Sequence, residues 1–377
     1  MDKSRNILII LFFMSLLFLP WVAEVFPVFP VVANTENRAL KSLPEFSIDT
    51  MDSFPVEFDE YYSDHFTLRN LMLKLNSKIQ FHWFNLAPHR GKAFIGKQGW
   101  MYLIKDEMEL YEGKNIFTKD KIQRFVDVVN YRKHILDSLN SKYYLVVIPI
   151  KATVYPEFLP LSKSNPGSFT LTDQVVEALS RESAVKVIDL RDTLRNHKNE
   201  QPLFYKTDNH WNEYGAFIAY RAIMEVMTKD FPRLKVRELS DFKVDTIETN
   251  GKGLTNMMGL IDEVNEKEIT LTPRFQKKAV EGEKSQYPVP DYFPYKNAWE
   301  QVYVTGDSSL PKLLVIRDSF GGALIPFLDD HFSKSVFIFD GWQHNLNEEI
   351  LYHEKPDIYI QLVVEALLIN LPENSKP

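Results

Sequence analysis

Two short segments of the chain carry the residue types that nucleophilic acyl chemistry needs: Thr207-Asp208-Asn209-His210-Trp211 and Arg317-Asp318-Ser319-Phe320-Gly321. A serine hydroxyl is a weak nucleophile until a neighbouring base takes its proton, and an imidazole needs an acceptor on its other nitrogen to fix the tautomer. A carboxylate two positions before a histidine can fold back onto the ring. Asp208 is therefore placed to orient His210, and His210 to face Ser319. A serine at the first turn of a helix also has free backbone N–H groups and the positive end of the helix dipole at hand for a developing oxyanion. The amides of Ser319 and Gly321 are the candidates for that role. Each piece has a plainer use as well: Asp208 or Asn209 can cap the helix that follows, and Asp318-Ser319 reads as an N-cap. The joint placement of the two segments after different strands favours the chemical reading.

Other chemistries fare worse. The nine histidines contain no His-x-x-x-His pair, and no third ligand accompanies Asp208 and His210, so no metal site is expected. Asp329-Asp330-His331 is the other acid/histidine cluster, and at the end of a helix it reads as a solvated face. There is no Walker phosphate loop, and no cofactor is expected beyond an acyl donor. Cysteine is absent, which excludes thiolate chemistry and disulfides. Lys and Arg total 44 against 51 Asp and Glu, a net charge of −7 with no dense basic cluster, so nucleic acid is excluded as a partner.

The elements that must position these residues follow from hydrophobic periodicity. Apolar runs at Tyr143–Pro149, Val185–Leu190, Lys312–Arg317, Ser335–Phe339 and Asp357–Val363 alternate with helical patterns at 171–182, 212–228, 321–330 and 345–352. Strands joined by helices predict an α/β fold, a doubly wound, flavodoxin-like parallel sheet. Ligands bind such sheets outside the carboxyl ends of the strands, where both chemical segments fall. The polar stretch at about 231–310 breaks the alternation and reads as a loop-like insertion. Residues 58–85 predict one or two helices.

At the start of the chain, Lys3 and Arg5 precede an apolar run from Ile7 to Ala23, near the short limit of the ~17–25 residues that a membrane span needs. Cleavage after Ala23 would place bulky Trp21 where a small residue is required, so an uncleaved anchor in the cell membrane is expected, with the rest of the chain extracytoplasmic. Three regions result: an anchor at 1–33, a proline-bearing stalk and helical region at 34–110, and an α/β domain at 111–377.

Six segments, in order, resemble the alginate O-acetyltransferase branch (AlgJ/AlgX-like, or DHHW) of the SGNH hydrolase superfamily. They are Glu36 to Leu40 with Pro44, Phe54-Pro55 with Tyr61 to Arg69, Gly96 to Trp100 with Tyr102, Pro149 to Pro156, Thr207 to Trp211, and Arg317 to Phe320. The resemblance covers most of the chain after the anchor. It implies Ser319 as nucleophile, His210 as base and Asp208 as its orienting carboxylate, with Trp211 matching the tryptophan after the histidine. It also places Lys151 and Tyr155 near the site, where Lys151 could contact substrate. Arg317 stands where many SGNH nucleophile blocks begin with glycine, so the oxyanion contribution of that position is open. The implied activity is O-acyl transfer, with acetyl as the group, to hydroxyls of an exported cell-surface or secreted polysaccharide. A membrane-bound O-acyltransferase partner would supply the acetyl group. Two alternatives remain: a carbohydrate acetylesterase, in which water is the acceptor, and a non-catalytic glycan-binding export scaffold.

Overall fold

The computed structural model describes all residues except 1–2, 27–28, 31, 33–39, 85–87, 89–91, 292, 341–344 and 373–377. In chain order the elements are α1 (Lys3–Val25), α2 (Phe54–His65), α3 (Arg69–Phe84), the short strands β1 (Ala93–Ile95) and β2 (Met101–Leu103), and α4 (Lys105–Tyr111). Next come α5 (Lys119–Ser138), β3 (Lys142–Ile148), α6 (Lys151–Val154), α7 (Leu171–Glu182), β4 (Lys186–Asp189), α8 (Arg191–His197) and α9 (Glu213–Met227). They are followed by β5 (Phe242–Asn250), α10 (Gly253–Met257), β6 (Asn265–Pro273), β7 (Val280–Glu281), β8 (Glu300–Val304) and β9 (Lys312–Arg317). The last are α11 (Ile325–Leu328), β10 (Lys334–Phe339), α12 (Glu348–Glu354) and β11 (Ile358–Val364).

The chain divides into two compact units. The first joins Met1–Phe94 to Asn250–Val264. Within it, Lys74 pairs with Asp262 at 2.7 Å, and Glu263 accepts from Lys78 at 2.5 Å and from His82 at 2.8 Å. Its α1 is a single helix long and apolar enough to cross a membrane, with a mean hydropathy of 2.3 and its side chains exposed. The stalk segment 34–38 lies outside the described residues.

The second unit, Ile95–Thr249 with Asn265–Pro377, carries the α/β domain. This unit begins at Ile95. The reason lies in Trp100 and Met101. Trp100 stacks on Phe158 with ring centroids 4.7 Å apart, and Met101 donates its N–H to Lys206 O at 2.8 Å.

A seven-stranded sheet runs β4-β3-β11-β9-β10-β8-β7. Its first five strands are parallel, and β8 and β7 add antiparallel at one edge. The α/β architecture of SGNH type is as expected; the order of the parallel strands is not that of flavodoxin. Numbered by sequence they run 2-1-5-3-4, because the last strand enters between the first and third instead of closing the sheet at an edge. Every residue of β11 is buried, as an apolar strand covered on both faces requires, and it pairs with β3 and β9 at once.

The stretch 231–310 is a second correction. It is not loop-like: it supplies the β5–β6 ribbon, α10, and the sheet strands β7 and β8, with Val302 of β8 opposite Val336 of β10. These strands bury only some of their positions, so their composition stays polar and gives no continuous apolar run.

Candidate active site

Ser319 lies two residues past the end of β9, at the carboxyl edge of the sheet, and a 3₁₀ turn from Phe320 to Leu324 begins after it. The capping that this turn needs comes from Asp318, not from the serine. Asp318 is fully buried; its Oδ1 accepts from Phe320 N at 2.9 Å and its Oδ2 from Val364 N at 2.7 Å, at the end of β11. Burial pushes this carboxyl up to about 6, against those two hydrogen bonds. The Ser319 hydroxyl is left exposed and unspent on the backbone.

The segment bearing Asp208 and His210 lies between α8 and α9, and here too the capping burden falls elsewhere. Asn212 Oδ1 accepts from Gly215 N at 2.9 Å, while Asn212 Nδ2 donates to Pro202 O at 2.6 Å. Gly215 has to be glycine, since a Cβ there would stand 2.2 Å from Leu203 O. Asp208 turns back onto the histidine that follows it. Its Oδ1 accepts from the His210 backbone N–H at 3.1 Å and faces His210 Nδ1 at 2.6 Å.

His210 Nε2 lies 2.8 Å from Ser319 Oγ, closing a relay between residues 109 positions apart. With Nδ1–H donating to Asp208, Nε2 is the acceptor for the serine proton. Burial works against the charged imidazole. The Asp208 hydrogen bond and the charges of Asp208, Asp318 and Glu107 outweigh it, so the His210 pKa is raised above 6.5. The Phe320 ring, 4.7 Å from the imidazole between centroids, forms a wall beside it.

Of the N–H groups around Ser319, Phe320 N is committed to Asp318, and Gly322 N donates to Ser319 O at 3.3 Å. The amides of Ser319 and Gly321 make no hydrogen bond among the described residues. Gly321 is packed so closely that a Cβ would meet Arg317 Cβ at 2.6 Å.

The other residues that sequence brought forward are supports, not surfaces. Trp211 is 1% exposed and donates Nε1–H to Phe320 O at 3.0 Å, which ties the histidine segment to the serine turn. Arg317 is buried; it donates to Asp318 O at 3.0 Å and Gln301 Oε1 at 2.8 Å, and burial pushes its pKa down to about 10. Tyr155 is buried and accepts from Leu203 N at 3.0 Å through its hydroxyl.

Lys151, for which substrate contact was expected, is fully buried. Its Nζ donates to Tyr205 O at 2.8 Å and Lys206 O at 3.2 Å, beneath the segment that carries Asp208. Burial pushes this amine down to about 7, against the charges of Asp208, Glu107 and Glu266.

Sequence reasoning missed the carboxylates of this layer. Glu266 accepts from Thr207 N at 2.8 Å and Thr207 Oγ1 at 2.6 Å. Glu107, pushed up to about 7 by burial, accepts from Asn209 Nδ2 at 3.4 Å. Nothing in the local pattern distinguishes either from a surface glutamate. Among the described residues no group of three or more His, Asp or Glu is placed to hold a metal ion.

A serine, a histidine and an aspartate in line at the carboxyl edge of an α/β sheet have the arrangement of a serine acyl-transfer site. The family model described as "SGNH hydrolase-like domain, acetyltransferase AlgX" matches residues 93–309, more than half of the chain, and the chain belongs to that family. The matched residues include Asp208 and His210 and stop short of Ser319. Over 188 residues the chain is 28% identical to the probable alginate O-acetylase AlgJ of Pseudomonas aeruginosa, which covers 47% of this chain and 44% of AlgJ. The chain thus matches less than half the length of that relative. Among solved structures, PatB1 of Bacillus cereus superposes with a TM-score of 0.54 at 19% identity over 73% of this chain and 96% of that one. A DHHW family protein from Eubacterium siraeum superposes with a TM-score of 0.50 at 19% identity over 69% and 90%. These likenesses show the fold.

Proposed function

We propose that the chain is a serine-dependent O-acetyltransferase that modifies hydroxyls of an exported polysaccharide. The observation that carries this reading is the continuous line from Asp208 Oδ1 through His210 to Ser319 Oγ, with contacts of 2.6 and 2.8 Å and an exposed serine. Membership of the AlgX family and the likeness to AlgJ, a probable alginate O-acetylase, support acetyl as the group and polysaccharide as the acceptor class.

In the first half-reaction Ser319 Oγ attacks the donor carbonyl carbon while His210 Nε2 takes its proton. The tetrahedral oxyanion is held by the amides of Ser319 and Gly321. The donor's leaving group departs with the proton from His210, which leaves an acetyl ester on Ser319. A glycan hydroxyl then attacks that ester, gives its proton to His210, and Ser319 recovers it as the ester bond breaks. Asp208 holds the ring in the needed tautomer and balances its transient charge. No bound cofactor is required, only an acyl donor; delivery by a membrane-bound O-acyltransferase partner fits a chain held at the membrane by α1, with the α/β domain extracytoplasmic.

The test is mass spectrometry of a defined oligosaccharide incubated with an activated acetyl ester and the full chain. A gain of acetyl mass that is absent in Ser319→Ala is expected. Loss of acetyl groups from a pre-acetylated oligosaccharide, with no gain, would make the protein an esterase. Failure of a fluorophosphonate to label Ser319 would remove the nucleophile altogether.

A further inference from the structure

In α3 (Arg69–Phe84) the apolar residues Met72, Leu75, Ile79 and Trp83 recur every three or four positions, the spacing of one helical face. In a helix packed on a core that face turns inward. Here it turns outward: Met72 is 57% exposed, Leu75 49%, Ile79 42% and Trp83 80%. The polar side chains do the inward packing instead. Lys74 pairs with Asp262, and Lys78 and His82 both reach Glu263, so α3 is tied through its basic residues to the segment Asn250–Val264 of its own unit. The buried residue of the helix is Ser77, not one of the apolar four. A continuous apolar stripe left in water in this way marks contact with a partner or a membrane.

What covers the stripe follows from its neighbours in the same unit. The apolar stretch Ser4–Val25 of α1 has 22 residues. At ~1.5 Å per residue it is about as long as the ~30 Å hydrocarbon layer of a bilayer. Asn70, in the first turn of α3, donates Nδ2–H to Val32 O at 3.0 Å. Val32 stands seven residues past Val25, the end of α1. Even fully extended, that connection spans no more than ~25 Å, so α3 begins close to where the span ends. The side chains of α3 suit a headgroup layer. Its sequence holds no Asp or Glu to be repelled by anionic lipid, and tryptophan is a residue that gathers at that boundary. Helix α2 is the contrast, with Glu57, Asp59, Glu60 and Asp64 in its twelve residues. By themselves, four side chains in a row are too few for a second protein, since a stable interface draws on ~20–30 residues a side.

We propose that α3 lies along the headgroup boundary of the membrane that α1 spans, with Met72, Leu75, Ile79 and Trp83 set into the lipid. The proposal rests on the reading of α1 as a membrane span. The chain has no cysteine, so an introduced one reports on its own position. Ile79→Cys, Trp83→Cys and, in the second unit, Ser162→Cys replace exposed residues of the full chain, and melting like that of the parent is expected. Each variant is labelled with a nitrobenzoxadiazole fluorophore and reconstituted in vesicles of phosphatidylcholine and phosphatidylglycerol. Compared with the label at position 162, those at 79 and 83 are expected to be quenched at least about threefold more by doxyl-phosphatidylcholine and at least about threefold less by iodide. Equal iodide quenching at all three positions would overturn the proposal. So would shielding from iodide without quenching by the doxyl lipid, which would make a second copy of the chain the cover. An alkaline carbonate wash separates the two claims. Protein that stays on the vesicles with its α3 labels open to iodide removes the α3 contact alone, whereas protein released by the wash removes the span and the contact with it.

Discussion

Two aspartate–histidine groupings of similar composition, Asp208 with His210 and Asp329-Asp330 with His331, drive the imidazole in opposite directions. Around His331 the carboxylates serve other groups: Arg237 reaches Asp330 at 2.9 Å and Lys277 reaches Asp329 at 2.6 Å. Burial, aided by the charge of Arg237, pushes the His331 ring down to about 4, and its Nε2 meets the Tyr220 hydroxyl at 2.8 Å. Around His210 burial opposes the charge as well, but the carboxylate at 2.6 Å serves the ring itself and raises its pKa. Asp and His together do not make a base; what matters is which partner the carboxylate has. The sequence reading of residues 329–331 as a solvated face is corrected accordingly. All three are buried, with the His331 ring stacked 5.6 Å from that of Tyr220.

The comparison can be broken at several points. Ser319→Ala is expected to remove acetyl transfer by ~10⁶-fold in kcat, the scale for losing a nucleophile; near-normal turnover would dissolve the contrast between the clusters. Asp208→Asn keeps the shape but offers His210 the wrong hydrogen-bond partner, so kcat should fall by ~10⁴-fold while the fold is kept. Lys151→Met strips the amine from beneath Tyr205 and Lys206 and leaves their carbonyls, Glu107 and Glu266 without a cation. A loss of ~3 kcal/mol in stability and ~10²-fold in kcat is expected, read by denaturant melts and steady-state kinetics.

The pH profile sharpens the same contrast. His210 must be neutral to take the Ser319 proton, and its pKa is raised, so the acid limb of kcat/KM should lie above pH 6.5. His331 shows the reverse. Its folded-state pKa of about 4 lies below the ordinary 6.5, so as pH falls the unfolded chain takes up the proton first. Its contribution to stability is whole above pH 6.5 and is lost towards pH 4, by about 3 kcal/mol. His331→Gln should lack that component in melts across this window while changing kcat by no more than about twofold.

Much of the α/β domain was legible in the chain. Its five parallel strands fall within a residue or two of their expected positions, because strands covered by helices are mostly apolar runs. The helix Glu213–Met227 was visible from its apolar periodicity. The antiparallel strands β7 and β8 were not, since half-exposed strands keep a polar composition. The insertion of β11 between β3 and β9 was equally hidden, because an apolar run shows that a strand is central and not which neighbours it has. In the site, Asp208, His210 and Ser319 stood out by residue type after strands. Glu107 and Glu266 did not, since a glutamate declares its burial only through partners distant in sequence.

By itself, then, the chain determined the reacting residue types, the apolar strands and the apolar N-terminal helix, all of which depend on side-chain chemistry and local periodicity. Tertiary structure alone decided what each polar group is spent on. It assigned the caps to Asn212 and Asp318, set Asp208 against His210 and His210 against Ser319, and buried Lys151 and Trp211 as supports. These are matters of who meets whom across long sequence separations, and local pattern carries no record of them.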